Sequence, residues 1–330
     1  MYSKLYRMRQ TIIALTVVAI LLFTSILNLG FVFGNSINTR AENQAENMLY
    51  GYDADKAAFN APQGTTLVTG PWVLSKWSNA NSEFLAEFNK PENSSKIPYL
   101  YLYSIAEMAK QKGGLTDCNI YNVQNPNADL CTHGTEFLTS HYWDEGEMGI
   151  LNNYRKIATS IKAVRGDKPI YVHFEPDFYQ YFTNWNGQGE KQNVQIDYKQ
   201  GRTFAKPMID LLKFYLPNAK IVMDISPWTD DLAGWTEQFS DIIDYVGLVG
   251  KEFKGTDYSI DLNRNYKAIS NIAGKQIIVN TSQNAGNYLP IDYSWSCDNI
   301  RARHIDGVAG VIMHITTDQK GYYENLIRNC

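Results

Sequence analysis

The sequence predicts an α/β protein built as a single (β/α) barrel of about seven or eight parallel strands, regular or distorted, over residues 65–330. Three observations predict it. Short apolar runs recur along the chain, stretches with helical spacing fall between them, and the roughly 300 residues left after the N-terminal segment suit one large core. An open doubly wound sheet ranks second, because no glycine-rich phosphate loop follows the first strand.

Residues 1–10 carry Lys4, Arg7 and Arg9, and Thr11 to Gly34 is then almost continuously apolar. Such a segment is a secretory signal or, at this length, an uncleaved helix crossing ~30 Å of hydrocarbon, with the cleaved signal favoured. Its positive flank places the remainder outside the cytoplasm, secreted or anchored by that helix. Residues 35–64 are polar and rich in Ala and Asn, which reads as a linker. Strands are then expected around Leu74 and at Pro98–Tyr103, Ile170–Phe174, Ala219–Met223, Ile243–Leu248, Gln276–Val279 and Val308–Met313. Continuous apolar runs of this kind fit parallel strands covered on both faces. Helical spacing is clearest in Leu151–Val164 and in Phe204–Tyr215, the latter stopped by Leu216-Pro217-Asn218.

The net charge of −4 offers no basic stripe, so nucleic acid is excluded as an expected partner. The 22 Tyr and 7 Trp residues supply planar faces with polar edges, which suit sugars as well as core packing. The chain is read as a monomer whose partner is an oligo- or polysaccharide. The four cysteines fit an oxidising compartment, and two local disulfides, Cys118–Cys131 and Cys297–Cys330, are the simplest pairing. No C-x-x-C or similar spacing appears, and neither metal nor other cofactor is expected. Asn93-Ser-Ser and Asn280-Thr-Ser match the glycosylation acceptor pattern, Asn280 at an expected strand end.

In such a barrel, residues just past each strand face one pocket. Those ends carry Ser104 or Glu107, Glu175 with Asp177, Asp224 with Trp228, Lys251 with Glu252, Ser282 with Gln283, and His314 with Asp318. Carboxylates converging between aromatic walls point to acid/base work on an uncharged polyol, and glycoside hydrolysis requires paired carboxyls most plainly. The richest end is Phe174-Glu175-Pro176-Asp177, where burial or a neighbouring carboxylate would keep an acid protonated. Either acid would equally serve as a helix cap or a salt-bridge partner. Serine-based hydrolysis is weaker, since no G-x-S-x-G is present and Ser226 has no evident base. The common retaining barrels place a nucleophilic Glu at a late strand end, where this chain reads Asn280-Thr281-Ser282-Gln283.

The segment from Tyr154-Arg-Lys-Ile-Ala to Phe174-Glu175-Pro176-Asp177 resembles glycoside hydrolase family 6, whose helix and strand lead into an Ile-Glu-Pro-Asp motif. Pro217 to Asp224 followed by Gly234-Trp235 is similar to that family's next strand. Ile278 to Gly286 is similar to its late strand end, and Trp295-Ser-Cys297 with Cys330 is placed like its second disulfide. The resemblance covers residues 150 to the end. It implies an inverting hydrolase of β-glucan-like polysaccharides with Asp177 as proton donor, Asp117 or Glu107 assisting it, Asp224 steadying the oxocarbenium charge and Asp318 as base. Glu175 joins this set as a catalytic or structural acid tied to a buried Arg or Lys. Departures are visible too: Asp117-Cys118 lies further from Tyr103 than the family's loop does, and Ser282 stands where the family has Asp.

Trp72, Trp77, Trp185, Trp228 and Trp235 are candidates for stacking on sugar rings. Two rival classes remain: a non-catalytic carbohydrate-binding protein on a decayed glycosidase barrel, and a membrane-tethered interaction protein.

Overall fold

The alternation in Pro98–Tyr103 decides which way that strand faces, since successive side chains point to opposite sides of a sheet. In the computed structural model Tyr99 and Tyr101 point into the interior of a barrel, while Leu100 and Leu102 pack outward under the helices. The structure describes residues 48–53, 61–116, 129–143, 149–183, 196–225, 231–249, 266–281, 283–284, 287–288, 295–314 and 319–330.

The barrel strands are β1 (Leu49–Asp53), β2 (Leu67–Thr69), β3 (Ile97–Leu102), β4 (Ile170–Phe174), β5 (Ala219–Asp224), β6 (Tyr245–Val249) and β7 (Ile277–Asn280). A small antiparallel hairpin, β8 (Gln283–Asn284) with β9 (Asn287–Tyr288), precedes the last barrel strand, β10 (Val308–His314). The barrel strands pair in chain order, all parallel, and β10 closes the ring against β1. The chain therefore has the (β/α)8 fold.

The helices that cover the barrel are α1 (Asn79–Glu87), α2 (Ser104–Gly113), α3 (Leu130–His141), α4 (Ile150–Arg165), α5 (Tyr198–Tyr215), α6 (Leu232–Phe239), α7 (Tyr266–Ala273), α8 (Cys297–Ile305) and α9 (Lys320–Asn329). In α4 the buried residues Tyr154, Ile157, Ala158 and Ile161 recur at helical spacing, which is the pattern that marks this segment as a helix in the sequence. Leu67, Tyr99, Tyr101, Tyr171, Val222, Ile278 and Ile312 fill the barrel from within. Three of these are tyrosines, so the barrel core is wired by hydroxyls as well as packed.

Several expectations change. The supposed linker 35–64 contains β1, a strand missed because Tyr50-Gly51-Tyr52-Asp53 has glycine and acid where an apolar run was sought. The strand sought around Leu74 is β2 instead, and Leu74 itself is exposed. Helix α5 begins at Tyr198, capped by the Asp197 side chain on the Gln200 amide, and runs through Pro207. Asn93 and Asn280 are both buried, and the Asn93 amide donates to the Glu87 carbonyl, so neither presents its amide to a glycan. The Cys297–Cys330 disulfide joins the start of α8 to the last residue, with the Cα atoms 5.2 Å apart. Cys131 is buried in α3, while its expected partner Cys118 lies outside the described residues, as does the N-terminal apolar segment.

The seam that closes the barrel carries a glycine on each strand, Gly51 on β1 and Gly310 on β10. A Cβ on Gly51 would lie 2.6 Å from Ile312 Cγ1 on β10, and the Tyr323 hydroxyl from α9 donates to the Gly51 carbonyl at 2.7 Å. Gly51→Ala is expected to overpack this seam and cost about 1–3 kcal/mol of stability, seen as a lower midpoint in urea unfolding. An unchanged midpoint would show that the seam has room.

Candidate active site

The end of β4 is where the chain does something unusual. After Phe174 the backbone of Glu175 takes φ +38°, the left-handed region that non-glycine residues rarely adopt, and its N–H donates to the Leu102 carbonyl at 2.8 Å. Its carboxyl accepts from the backbone amides of Ser104 at 2.8 Å and Ile105 at 3.1 Å, and from the Tyr154 hydroxyl. These amides open α2, whose own N-cap residue, Tyr103, supplies no side-chain acceptor. Glu175 thus caps a helix from the neighbouring strand end. It is fully buried, and burial pushes its pKa up to about 8 against the opposing pull of those three donors. The partner expected for it, a buried Arg or Lys, is replaced by a helix N-terminus and a phenol. Glu175 belongs to the scaffold.

Asp177 lies two residues on and is only half-buried. Its Oδ2 accepts from the Tyr103 hydroxyl at 3.0 Å and its Oδ1 from Gln180 Nε2 at 3.2 Å, which holds the carboxyl in one orientation. Trp72 packs against the same tyrosine: its ring stacks on Tyr101 at 5.0 Å and meets Tyr103 edge-on at 5.4 Å. An acid and an aromatic face therefore share Tyr103 as a neighbour.

A second carboxylate ends β5. Asp224 is 6% exposed and its Oδ1 lies 2.9 Å from His173 Nε2, while the other ring nitrogen of His173 lies 2.9 Å from the Tyr99 hydroxyl. Gly247 on β6 makes the space, because a Cβ there would collide with Asp224 Oδ1. Further round the mouth, Thr69 donates to Asp53, and the Asn280 amide is bonded to the Tyr101 hydroxyl. No group of three or more His, Cys, Asp or Glu is arranged to hold a metal among the described residues.

Of the residues singled out from sequence, Asp177, Asp224 and Trp72 stand at strand ends or beside them. Trp235 does not: it is 1% exposed in α6 against Phe239, so it is a packing residue and not a sugar platform. Trp77 is partly buried and donates to Ser82. The Glu107 carboxyl accepts from Gln111 along its own helix. Asp117, Asp318, Trp185, Trp228, Ser226, Lys251, Glu252 and Ser282 lie outside the described residues, as do the side chains of Gln283 and His314. Sequence reasoning missed Asp53, Tyr103 and His173. His173 was readable in principle, since it stands two residues after Tyr171 on the inward face of β4.

No family model matches the chain, and no curated protein does. Solved structures do. A GH18 chitinase from Pseudoalteromonas aurantia has a TM-score of 0.50 at 12% identity over 85% of this chain and 97% of that one. The endoglucanase Cel6 from Mycobacterium tuberculosis has a TM-score of 0.35 at 15% identity over 78% and 70%. Morphinone reductase, an oxidoreductase, has a TM-score of 0.48 at 11% identity over 85% and 88%. Glycoside hydrolases and oxidoreductases thus both appear among the similar folds. At 12% identity the likeness to the chitinase bears on the barrel fold alone.

The raised pKa of Glu175 has a thermodynamic signature. Folded, it keeps its proton up to about pH 8, whereas its ordinary value is 4.5. The folded state binds more protons across that window, so stability is full below the ordinary value and falls as pH rises through the window. Glu175→Gln is expected to flatten this slope while keeping the carbonyl acceptor, as read by urea unfolding across the same pH range. A slope identical in both proteins would place the effect elsewhere.

Proposed function

We propose that the protein is a glycoside hydrolase, secreted or tethered by its N-terminal segment, that cleaves a β-glucan-like polysaccharide by an inverting acid/base mechanism. The observation that carries this reading is Asp177: a half-buried carboxyl just past the end of β4, fixed in orientation by Tyr103, whose ring also meets Trp72. A sugar stacked on an aromatic ring presents its glycosidic oxygen edgewise, within reach of an acid held at the ring's border. Asp177 donates its proton to that oxygen as the bond to the anomeric carbon breaks. Water attacks the opposite face and loses a proton to a base for which Asp318 is the candidate, about 6.5–9.5 Å from the donor in enzymes of this kind. Asp224 stabilises the positive charge that develops on the sugar ring. Like-charge coupling to a second carboxylate, Asp117 or Glu107, keeps the donor protonated.

The second reading, a non-catalytic carbohydrate-binding barrel, is favoured by the end of β7, where Asn280 and not an acid stands bonded to Tyr101. Asp177→Asn separates the two. It is expected to lower hydrolysis of cellohexaose by about 10²- to 10⁴-fold while retaining its binding, as measured by reducing-end release and by calorimetry. Unchanged turnover would reject Asp177 as the acid, and binding without turnover in either protein would favour the binder.

A further inference from the structure

We propose that His173 is a positioning residue for Asp224: its imidazole is locked between Tyr99 and Asp224, donates Nε2–H to the carboxylate, and presents that carboxylate to the barrel mouth in a single orientation.

The geometry is that of a three-member chain spanning β3, β4 and β5. Both ring nitrogens of His173 are engaged, Nδ1 with the Tyr99 hydroxyl and Nε2 with Asp224 Oδ1, each at 2.9 Å. A neutral imidazole carries one proton, so whichever partner supplies a proton to one nitrogen fixes the donor role of the other. The Tyr99 hydroxyl is held well above its ordinary pKa, first by burial and then by the nearby Asp224 and Tyr171, and so retains a proton to give. Given to Nδ1, it leaves Nε2 to donate to Asp224. Phenols and one more carboxylate lie near this chain: Tyr101 on β3, whose ring centre is 5.0 Å from that of His173, Tyr171 on β4, stacked on Tyr99, Tyr245 on β6, which meets the Tyr171 hydroxyl at 3.5 Å, and Asp244, whose charge acts on Tyr171.

Two further features indicate a built arrangement. A carboxylate as buried as Asp224 is stable only with a hydrogen-bonding partner, and His173, 2% exposed, provides it without opening the barrel to water. Gly247 is cut to fit the pair, since a Cβ there would press on Asp224 Oδ1 and stand 3.2 Å from His173 Nε2. Asp224 is the last residue of its strand, at the end of the barrel where ligands gather in this fold. A histidine satisfied only for packing would not need its partner at that height.

The catalytic consequence rests on the glycosidase reading; the lock does not. The experiment therefore has two arms. In the first, His173→Gln, whose amide nitrogen can replace Nε2 as donor, is compared with His173→Phe, which fills the volume without a donor. With cellohexaose, His173→Phe is expected to lower kcat roughly tenfold or more at nearly constant KM, the size of one charge-assisted hydrogen bond, and His173→Gln to recover most of it. Equal losses in the two variants would overturn the proposal, as would no loss in either. In the second arm, NMR of the ¹⁵N-histidine-labelled full chain reads the tautomer directly. Nε2–H is expected, and an Nδ1–H tautomer would overturn the proposal. If the unaltered protein turns over no glycan, the glycosidase reading fails while the tautomer still decides whether the lock exists.

Discussion

The contact on which the site depends is the one between the Glu175 carboxyl and the first amides of α2. A strand that ends in an acid ordinarily delivers it to the barrel mouth. Here the left-handed turn at Glu175 swings the carboxyl sideways into the gap between α2 and α4, where Ser104, Ile105 and Tyr154 bind it. Helix α2 gains the acceptor that its own sequence lacks, and the turn is fixed by the same bonds. Pro176 then carries the chain back, so that Asp177 and not Glu175 meets solvent. One motif thus separates a structural acid from a half-buried one within three residues, using burial to neutralise the first and partial exposure to keep the second available.

That division explains the rest of the mouth. Tyr103, displaced from a capping role at the head of α2, points its hydroxyl at Asp177 and its ring at Trp72. Below it, the tyrosines of β3 fill the barrel, and each hydroxyl finds a partner on another strand: Tyr99 on His173, Tyr101 on Asn280. The core is therefore stitched across strands by side-chain hydrogen bonds, which suits a site whose polar groups must hold position without flooding the interior. The candidate site and the packing use the same residues.

Much of this was legible in the chain. The apolar runs at Ile170–Phe174 and Ala219–Met223 became β4 and β5 nearly residue for residue, because strands buried on both faces leave a continuous signal. β1 left none: glycine and aspartate occupy it because the seam with β10 is tight and its end reaches the mouth. Asp177 and Asp224 were singled out because acids that end apolar runs stand out, and both lie at strand ends. Glu175 was found with its role unresolved, since nothing local in sequence says that φ turns positive there. For His173 the sequence offered only its parity with Tyr171, which puts it on the inward face; the engagement of both its nitrogens is not written in an apolar run.

Glu175 and Asp177 must face different worlds for this site to work, and carboxyl ¹³C NMR of the labelled protein, titrated with pH and then with cellohexaose, observes both at once. The Glu175 signal is predicted to titrate near 8 and to ignore the saccharide, while the Asp177 signal moves when the saccharide binds. A Glu175 carboxyl that titrates in the ordinary range and responds to the sugar, beside an Asp177 that does not, would contradict it.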